Sequence, residues 1–203
     1  MKLHDFPLAP NPRKLRVYLA EKGIEIPRIM VNLVAGEQNT PEFRAKNPMG
    51  GLPVLELDDG SCLRESLAII EYLEELHPDP PMIGATPLER ARVREMERIC
   101  EAGVLNNVGT VFQNTSPFFA GRLKQSADAA DNARSRIAGA LKVVDRKIAT
   151  RPFLCGDRPT IADCTLYAAL TFAAFGGNAI DLGALPNLAR WYETFTQRPS
   201  AQA

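Results

Sequence analysis

The sequence predicts an α/β N-terminal domain with the element order βαβαββα, followed by an all-α C-terminal domain, and three observations carry this. Short β-branched and apolar runs alternate with helical patterns up to Leu76. A proline cluster, His77-Pro78-Asp79-Pro80-Pro81, then breaks regular structure and reads as a linker. Beyond it, glycine and proline thin out inside long patterns of helical period, such as Ala129 to Ile148 and Ala162 to Phe175. The expected division is 1–77 for the first domain, 78–86 for the linker and 87–203 for the helical domain.

Lys2 to Phe6 fits a first strand, after which Pro7, Pro10 and Pro12 forbid regular structure until a helix begins at Arg13. Asn11 then caps that helix with Pro12 at its first position, and Leu15, Tyr18 and Leu19 share one face up to a left-handed Gly23. Arg28 to Leu33 reads as the second strand, followed by a loop through Gly36 and a short helix from Thr40-Pro41-Glu42-Phe43 towards Asn47. Val54-Leu55-Glu56-Leu57 and Ser61-Cys62-Leu63 flank Asp58-Asp59-Gly60, a strong hairpin signal. Glu65-Ser66 opens a helix with Leu67, Ile70 and Leu73 on one face. Thr160-Ile161-Ala162-Asp163 has the spacing of a capping box, a folding motif that takes Asp163 out of catalysis.

Twenty-four basic residues balance 24 acidic ones among 203, so no long-range field recruits nucleic acid or an anionic membrane. Met1 to Pro7 carry charges and a proline where a signal peptide needs an apolar run, and no 18-residue apolar stretch occurs. A cytoplasmic location is expected. Cys62, Cys100, Cys155 and Cys164 lack C-x-x-C spacing, and only His4 and His77 are available beside them. They read as free thiols at core positions, with no metal site.

Several motifs in order resemble the cytosolic glutathione transferase superfamily: Pro10-Asn11-Pro12-Arg13-Lys14, Asn47-Pro48-Met49-Gly50-Gly51-Leu52-Pro53-Val54-Leu55, and Arg64-Glu65-Ser66-Leu67-Ala68-Ile69. Two later segments resemble its helical-domain signatures, Leu154 to Asp163 and Leu185-Pro186-Asn187-Leu188-Ala189-Arg190-Trp191. The resemblance implies a thioredoxin-like first domain that binds glutathione as co-substrate, and a helical domain that supplies an apolar pocket for an electrophile. It implies a cis Leu52-Pro53 bond presenting the backbone of Leu52 to the cysteinyl part of glutathione. Glu65 is then the partner of the γ-glutamyl ammonium. Ser66 and the amides at a helix start are partners of its carboxylate, matching the opposite charges of that zwitterion. Gln38 and Gly51 fall where relatives hold the glycine carboxylate, though Gly51 stands where many place lysine. Lys46 and Arg13 are candidate substitutes, with exposed surface charge as the simpler reading of both.

Conjugation needs glutathione as a thiolate, and so a donor facing the sulfur. Serine-type relatives carry a hydroxyl just before the P-N-P-R stretch, where this chain has Ala9, and no tyrosine or cysteine lies between Leu3 and Arg16. Asn11 matches the asparagine of nu-class-like bacterial members, and its amide suits two roles, helix cap and thiolate donor. Phe112, Phe118 and Phe119 line either the electrophile pocket or the core. The leading function is conjugation to an apolar electrophile. Disulfide or peroxide reduction by the same thiolate, and non-catalytic glutathione binding, stand as alternatives. A homodimer is implied by resemblance alone.

Overall fold

Residues 1–203 are described by a computed structural model, and its first seven main elements follow the order read from the sequence. They are β1 (Lys2–Asp5), α1 (Pro10–Lys22), β2 (Arg28–Met30), α2 (Pro41–Lys46), β3 (Val54–Glu56), β4 (Cys62–Arg64) and α3 (Ser66–Leu76). The sheet has the order β2-β1-β3-β4, with β1 and β2 parallel and the other pairings antiparallel. Gly60, at φ 84°, turns the hairpin, and Thr40 caps α2 through the Phe43 amide at 3.3 Å. Helix α1 ends as expected in a left-handed Gly23.

Its beginning differs from expectation. The helix starts three residues earlier than Arg13, with Ala9 as the cap, so Asn11 lies inside the first turn. Pro10, expected before the helix, occupies its first position, and Pro12, expected at that position, its third. Within a first helical turn the amides have no intrahelical acceptor, so Pro10 and Pro12 cost no hydrogen bond there.

The helical domain contains α4 (Pro87–Cys100), α5 (Asn106–Thr115), α6 (Ala127–Lys147), α7 (Ile161–Phe175) and α8 (Pro186–Thr196). A turn of π-helix, Glu101–Leu105, joins α4 to α5 without a break. Helix α7 is buried nearly all round, packing on both α1 and α4. One apolar core therefore runs from Leu3 and Leu15 through Leu73 and Cys100 to Trp191, as a helix hydrophobic on every face requires. Cys100 and Cys164 are buried as expected, whereas Cys62 and Cys155 are only half-buried; all four are free thiols.

Asp163 anchors this domain. Its carboxylate is fully buried and accepts from the amides of Leu154 (3.0 Å) and Thr160 (2.9 Å), the Thr160 hydroxyl (2.9 Å) and Trp191 Nε1 (2.9 Å). Trp191 is thus a packing and bonding residue. Replacing Asp163 by alanine strands several buried donors, each at about 1–3 kcal/mol, so Asp163→Ala should lose on the order of 3 kcal/mol or more. Urea denaturation followed by Trp191 fluorescence measures this; an unchanged midpoint would remove Asp163 from the folding argument.

Candidate functional site

The sheet register gathers the sequence-predicted residues at one end of the first domain. His4, Val54 and Arg64 form one row across β1, β3 and β4. Just past that row come the loop from Phe6 into α1, the Leu52-Pro53 step that enters β3, and Glu65-Ser66 leaving β4. Since β2 runs parallel to β1, the segment after it, with Gln38, leaves from the same end. Four loops converge where β-strand ends and helix starts meet, the position that open α/β sheets use for ligands.

Leu52-Pro53 is cis, as the resemblance implied, and neither the amide nor the carbonyl of Leu52 bonds to other backbone. The loop before it is built on buried Asn47, whose side chain donates to the Gly51 carbonyl (2.8 Å) and accepts from the Met49 amide (3.1 Å). Gly50 has φ 68° and sits on the Arg44 guanidinium, which a Cβ would approach to 2.9 Å. Gly51 has no such constraint: a Cβ there meets only Asn47 Nδ2 at 3.5 Å.

Ser66 is the first residue of α3 and is nearly buried. Its hydroxyl and the first amides of the helix have no partner within the protein. The cap position belongs to Glu65, whose side chain makes no capping bond, so the plain helix-cap reading of this pair does not hold. Glu65 is exposed and is the only non-glycine residue at positive φ, 68° with ψ 119°. Such geometry costs about 1–3 kcal/mol and gathers at ligand-binding positions.

At the start of α1 the amide of Ala9 is taken by the Phe6 carbonyl (3.1 Å), and positions 10 and 12 are prolines. The backbone of Asn11 is therefore the one free amide donor of that terminus. Its half-buried side chain caps nothing, because Ala9 occupies the cap and no hydrogen bond engages the carboxamide. Of the two roles open to Asn11, capping is removed. The helix dipole, with its positive end here, still favours an anion.

The two substitute cations are engaged elsewhere. Arg13 donates to the Ala201 carbonyl (2.9 Å) and lies over the Tyr167 ring at 5.4 Å, so it is not a solvent-facing charge. Lys46 binds Glu56 at 2.7 Å; with His4 it holds the Glu56 carboxyl at about 2. Gln38 is half-buried, with a side-chain oxygen that has no partner. In the helical domain Phe112 meets Phe119 (5.6 Å) and Phe172 (5.0 Å) edge-on, and Phe118 packs on Phe119 (5.0 Å). None of Phe112, Phe118 and Phe119 is a core residue.

Two family models match, described as the N-terminal and C-terminal domains of glutathione S-transferase, over residues 3–81 and 109–199. Glutathione S-transferase 2 of Saccharomyces cerevisiae is 34% identical over 100% of this chain and 88% of its own length. The chain belongs to the glutathione S-transferase family. A maleylacetoacetate isomerase of Pseudomonas aeruginosa is 32% identical over 98% of this chain and 93% of its own. Among solved structures, a glutathione S-transferase domain-containing protein of Marinobacter aquaeolei VT8 shares 38% identity with a TM-score of 0.91, covering 98% of this chain and 99% of that one.

Lys14 and Glu97, buried behind this glutathione S-transferase site, and half-buried Glu101 had no sequence signal that joins them: Lys14 closes the Pro10 to Lys14 motif without a role of its own, and the two glutamates lie outside every motif. The strain at Glu65 also had no signal, since only glycine advertises positive φ. That strain is measurable. Glu65→Gly and Glu65→Ala both delete the carboxylate, but only glycine adopts φ 68° freely, so Glu65→Gly should be the more stable by about 1 kcal/mol. Thermal unfolding of the two compares them; Glu65→Ala being equal or better would show that the backbone there is unstrained.

Proposed function

We propose that this glutathione transferase holds glutathione across the four converging loops, activates its thiol with Asn11, and presents it to an apolar electrophile beside Phe112, Phe118 and Phe119. Residues 1–77 bind glutathione and 87–203 supply the electrophile pocket, joined by 78–86. The observation that carries the reading is the set of unpaired polar groups at one end of the sheet. These are the Leu52 backbone, the Ser66 hydroxyl with the α3 amides, the Glu65 carboxylate and both Asn11 donors. They match glutathione in order: extended peptide backbone, α-carboxylate, α-ammonium, sulfur. Gln38 and the backbone near Gly51 take the glycine end, where no lysine side chain assists.

Binding energy and thiol activation are separable. Glu65→Ala and Ser66→Ala should each weaken glutathione by about 1.5–3 kcal/mol while staying folded, since neither side chain is bonded within the protein. Calorimetric affinities equal to the parent would sink this placement. Gly51→Lys fits sterically and should tighten binding by up to about 1 kcal/mol through a solvent-exposed pair.

Asn11 is tested by a pair of opposite effects. Asn11→Asp places a negative charge in the first turn of α1, which should raise stability by about 0.3–1 kcal/mol while raising the pKa of the bound thiol. Asn11→Ala should leave stability nearly unchanged and lower turnover. Ultraviolet absorbance of bound thiolate across pH, with urea midpoints, checks both. If neither variant moves the thiol pKa, the backbone amide and dipole of α1 activate the sulfur.

A homodimer and a cytoplasmic location belong to the same reading. Exposed Met30, Val34 and Met49 give the first domain apolar surface for a second copy, and no helix is long and apolar enough to cross a membrane.

A further inference from the structure

The most unusual polar cluster lies behind the site rather than in it. Lys14 is one turn along α1 from Asn11, and its side chain has no exposed surface. Its ammonium bonds Glu101 at 2.9 Å and stands 3.7 Å from Glu97, itself fully buried. These acids belong to α4 and to the π turn that extends it. Helix α7 lies between α1 and α4, packing on both, so the Lys14 side chain is the polar strut that crosses from one to the other. A π turn costs hydrogen-bond geometry and marks functional positions more often than chance. Here it begins at the residue that receives the ammonium.

We propose that Lys14, Glu97 and Glu101 are positioning residues for the glutathione reaction: they share one proton between the two carboxyls and hold the first turn of α1, and hence Asn11, in its place at the sulfur. The assignment to the reaction rests on the proposed role of Asn11; the shared proton does not.

Lys14 is the only buried cation here, and it faces the fully buried carboxyl of Glu97 together with the half-buried carboxyl of Glu101. Besides Lys14, the groups that face Glu97 are Glu101 and Arg98 from its own helix and the Thr165 hydroxyl of α7 at 3.3 Å. Arg98 is spent on Glu101 at 3.4 Å, and Cys100 and Asp163 nearby supply no positive charge. No donor of the protein reaches the buried Glu97 Oε2, so that oxygen is the one to carry a proton. Burial first, and then a hydrogen bond to Glu101, push the Glu97 carboxyl up to about 7. Glu101 is held low against its burial by that bond and by Lys14.

With Glu97 protonated, the buried Lys14 ammonium is matched by Glu101, while Arg98 meets Glu101 from the exposed side. Losing the proton adds a buried negative charge one turn behind the anion that α1 is to stabilise.

Two measurements test this. In the folded protein Glu97 keeps its proton to about pH 7, whereas the unfolded chain loses it near the ordinary carboxylate value. Stability contributed below that value is thus lost as pH rises through this window. Glu97→Gln mimics the protonated acid at every pH. The urea midpoint of the parent, measured relative to Glu97→Gln, should fall from pH 5 to about 7 and level off above it; a constant difference overturns the shared proton, with or without glutathione.

The positioning role is read in the charge-neutral double variant Lys14→Met/Glu101→Gln, which leaves no unpaired buried ion to unfold the chain. It should bind glutathione within threefold of the parent, yet lose about tenfold in kcat with a raised thiol pKa. Parental kcat and thiol pKa would overturn the role. Asn11→Ala beside it separates the causes. If Asn11→Ala leaves the thiol unmoved while the double variant shifts it, the triad acts through the α1 backbone and only the reading of the Asn11 side chain fails.

Discussion

Helix α1 carries charges into the middle of the molecule, and the surrounding segments are placed where those charges can be met. Arg16 bonds Asp5 (2.7 Å) and the Pro7 carbonyl (2.8 Å). Lys22 pairs with Glu74 at 3.0 Å, which also accepts from Tyr18 (2.9 Å), and it donates to the carbonyls of His77 and Pro80. Glu21 receives Arg198 on both oxygens, and Ser200 as well. Lys14 reaches Glu101. A buried charge without its partner costs several kcal/mol, more than a satisfied pair returns. The geometry of α1 therefore fixes β1, the end of α3, the linker, α4 and the C-terminal turn together, because displacing any one strands a charge.

That rigidity serves a terminus with few donors of its own. An ordinary helix start offers several free amides to an anion; here Pro10 and Pro12 remove two and Phe6 occupies a third. What is left is the dipole, one amide and one carboxamide, all dependent on the exact angle of the first turn. A site with fewer donors tolerates less displacement of each, which is why the polar struts behind α1 bear on chemistry as well as stability.

The fold was readable because its signals are local. Asp59-Gly60, Thr40-Pro41 and Gly23 each demand a particular backbone conformation of their immediate neighbours, and each element they bound was found. Asn11 was misplaced for a reason also local: a proline pair looks the same before a helix and in its first turn, and only packing of the turn against its surroundings decides. Asn11, Leu52 and Ser66 emerged through family resemblance rather than through spacing, since no periodicity distinguishes a ligand-facing serine from a capping one. The meeting of Lys14 with Glu97 and Glu101 lay beyond either route, although Lys14 closes the first of the family-like motifs. Lysine and glutamate are seldom fully buried, and the burial of Lys14 and Glu97 follows from α7 packing on both α1 and α4, a fact of three-dimensional packing.

Costs and gains are unevenly placed in the molecule. The strained backbone of Glu65, the unpaired oxygen of Glu97, the π turn and the uncapped starts of α1 and α3 all adjoin or back onto the converging loops. The Asp163 network, by contrast, satisfies a buried carboxylate with four donors at the far end of the chain, and the core is continuous between the two. Under the proposed function, a bound zwitterionic thiol peptide supplies partners for the open starts of α1 and α3, and one retained proton satisfies Glu97 Oε2. Local instability of that kind persists only when the rest of the structure over-determines it. The charges of α1 supply that constraint, since a relaxation that relieved Glu65 or Glu97 by moving α1 would strand Lys14, Arg16 or Lys22.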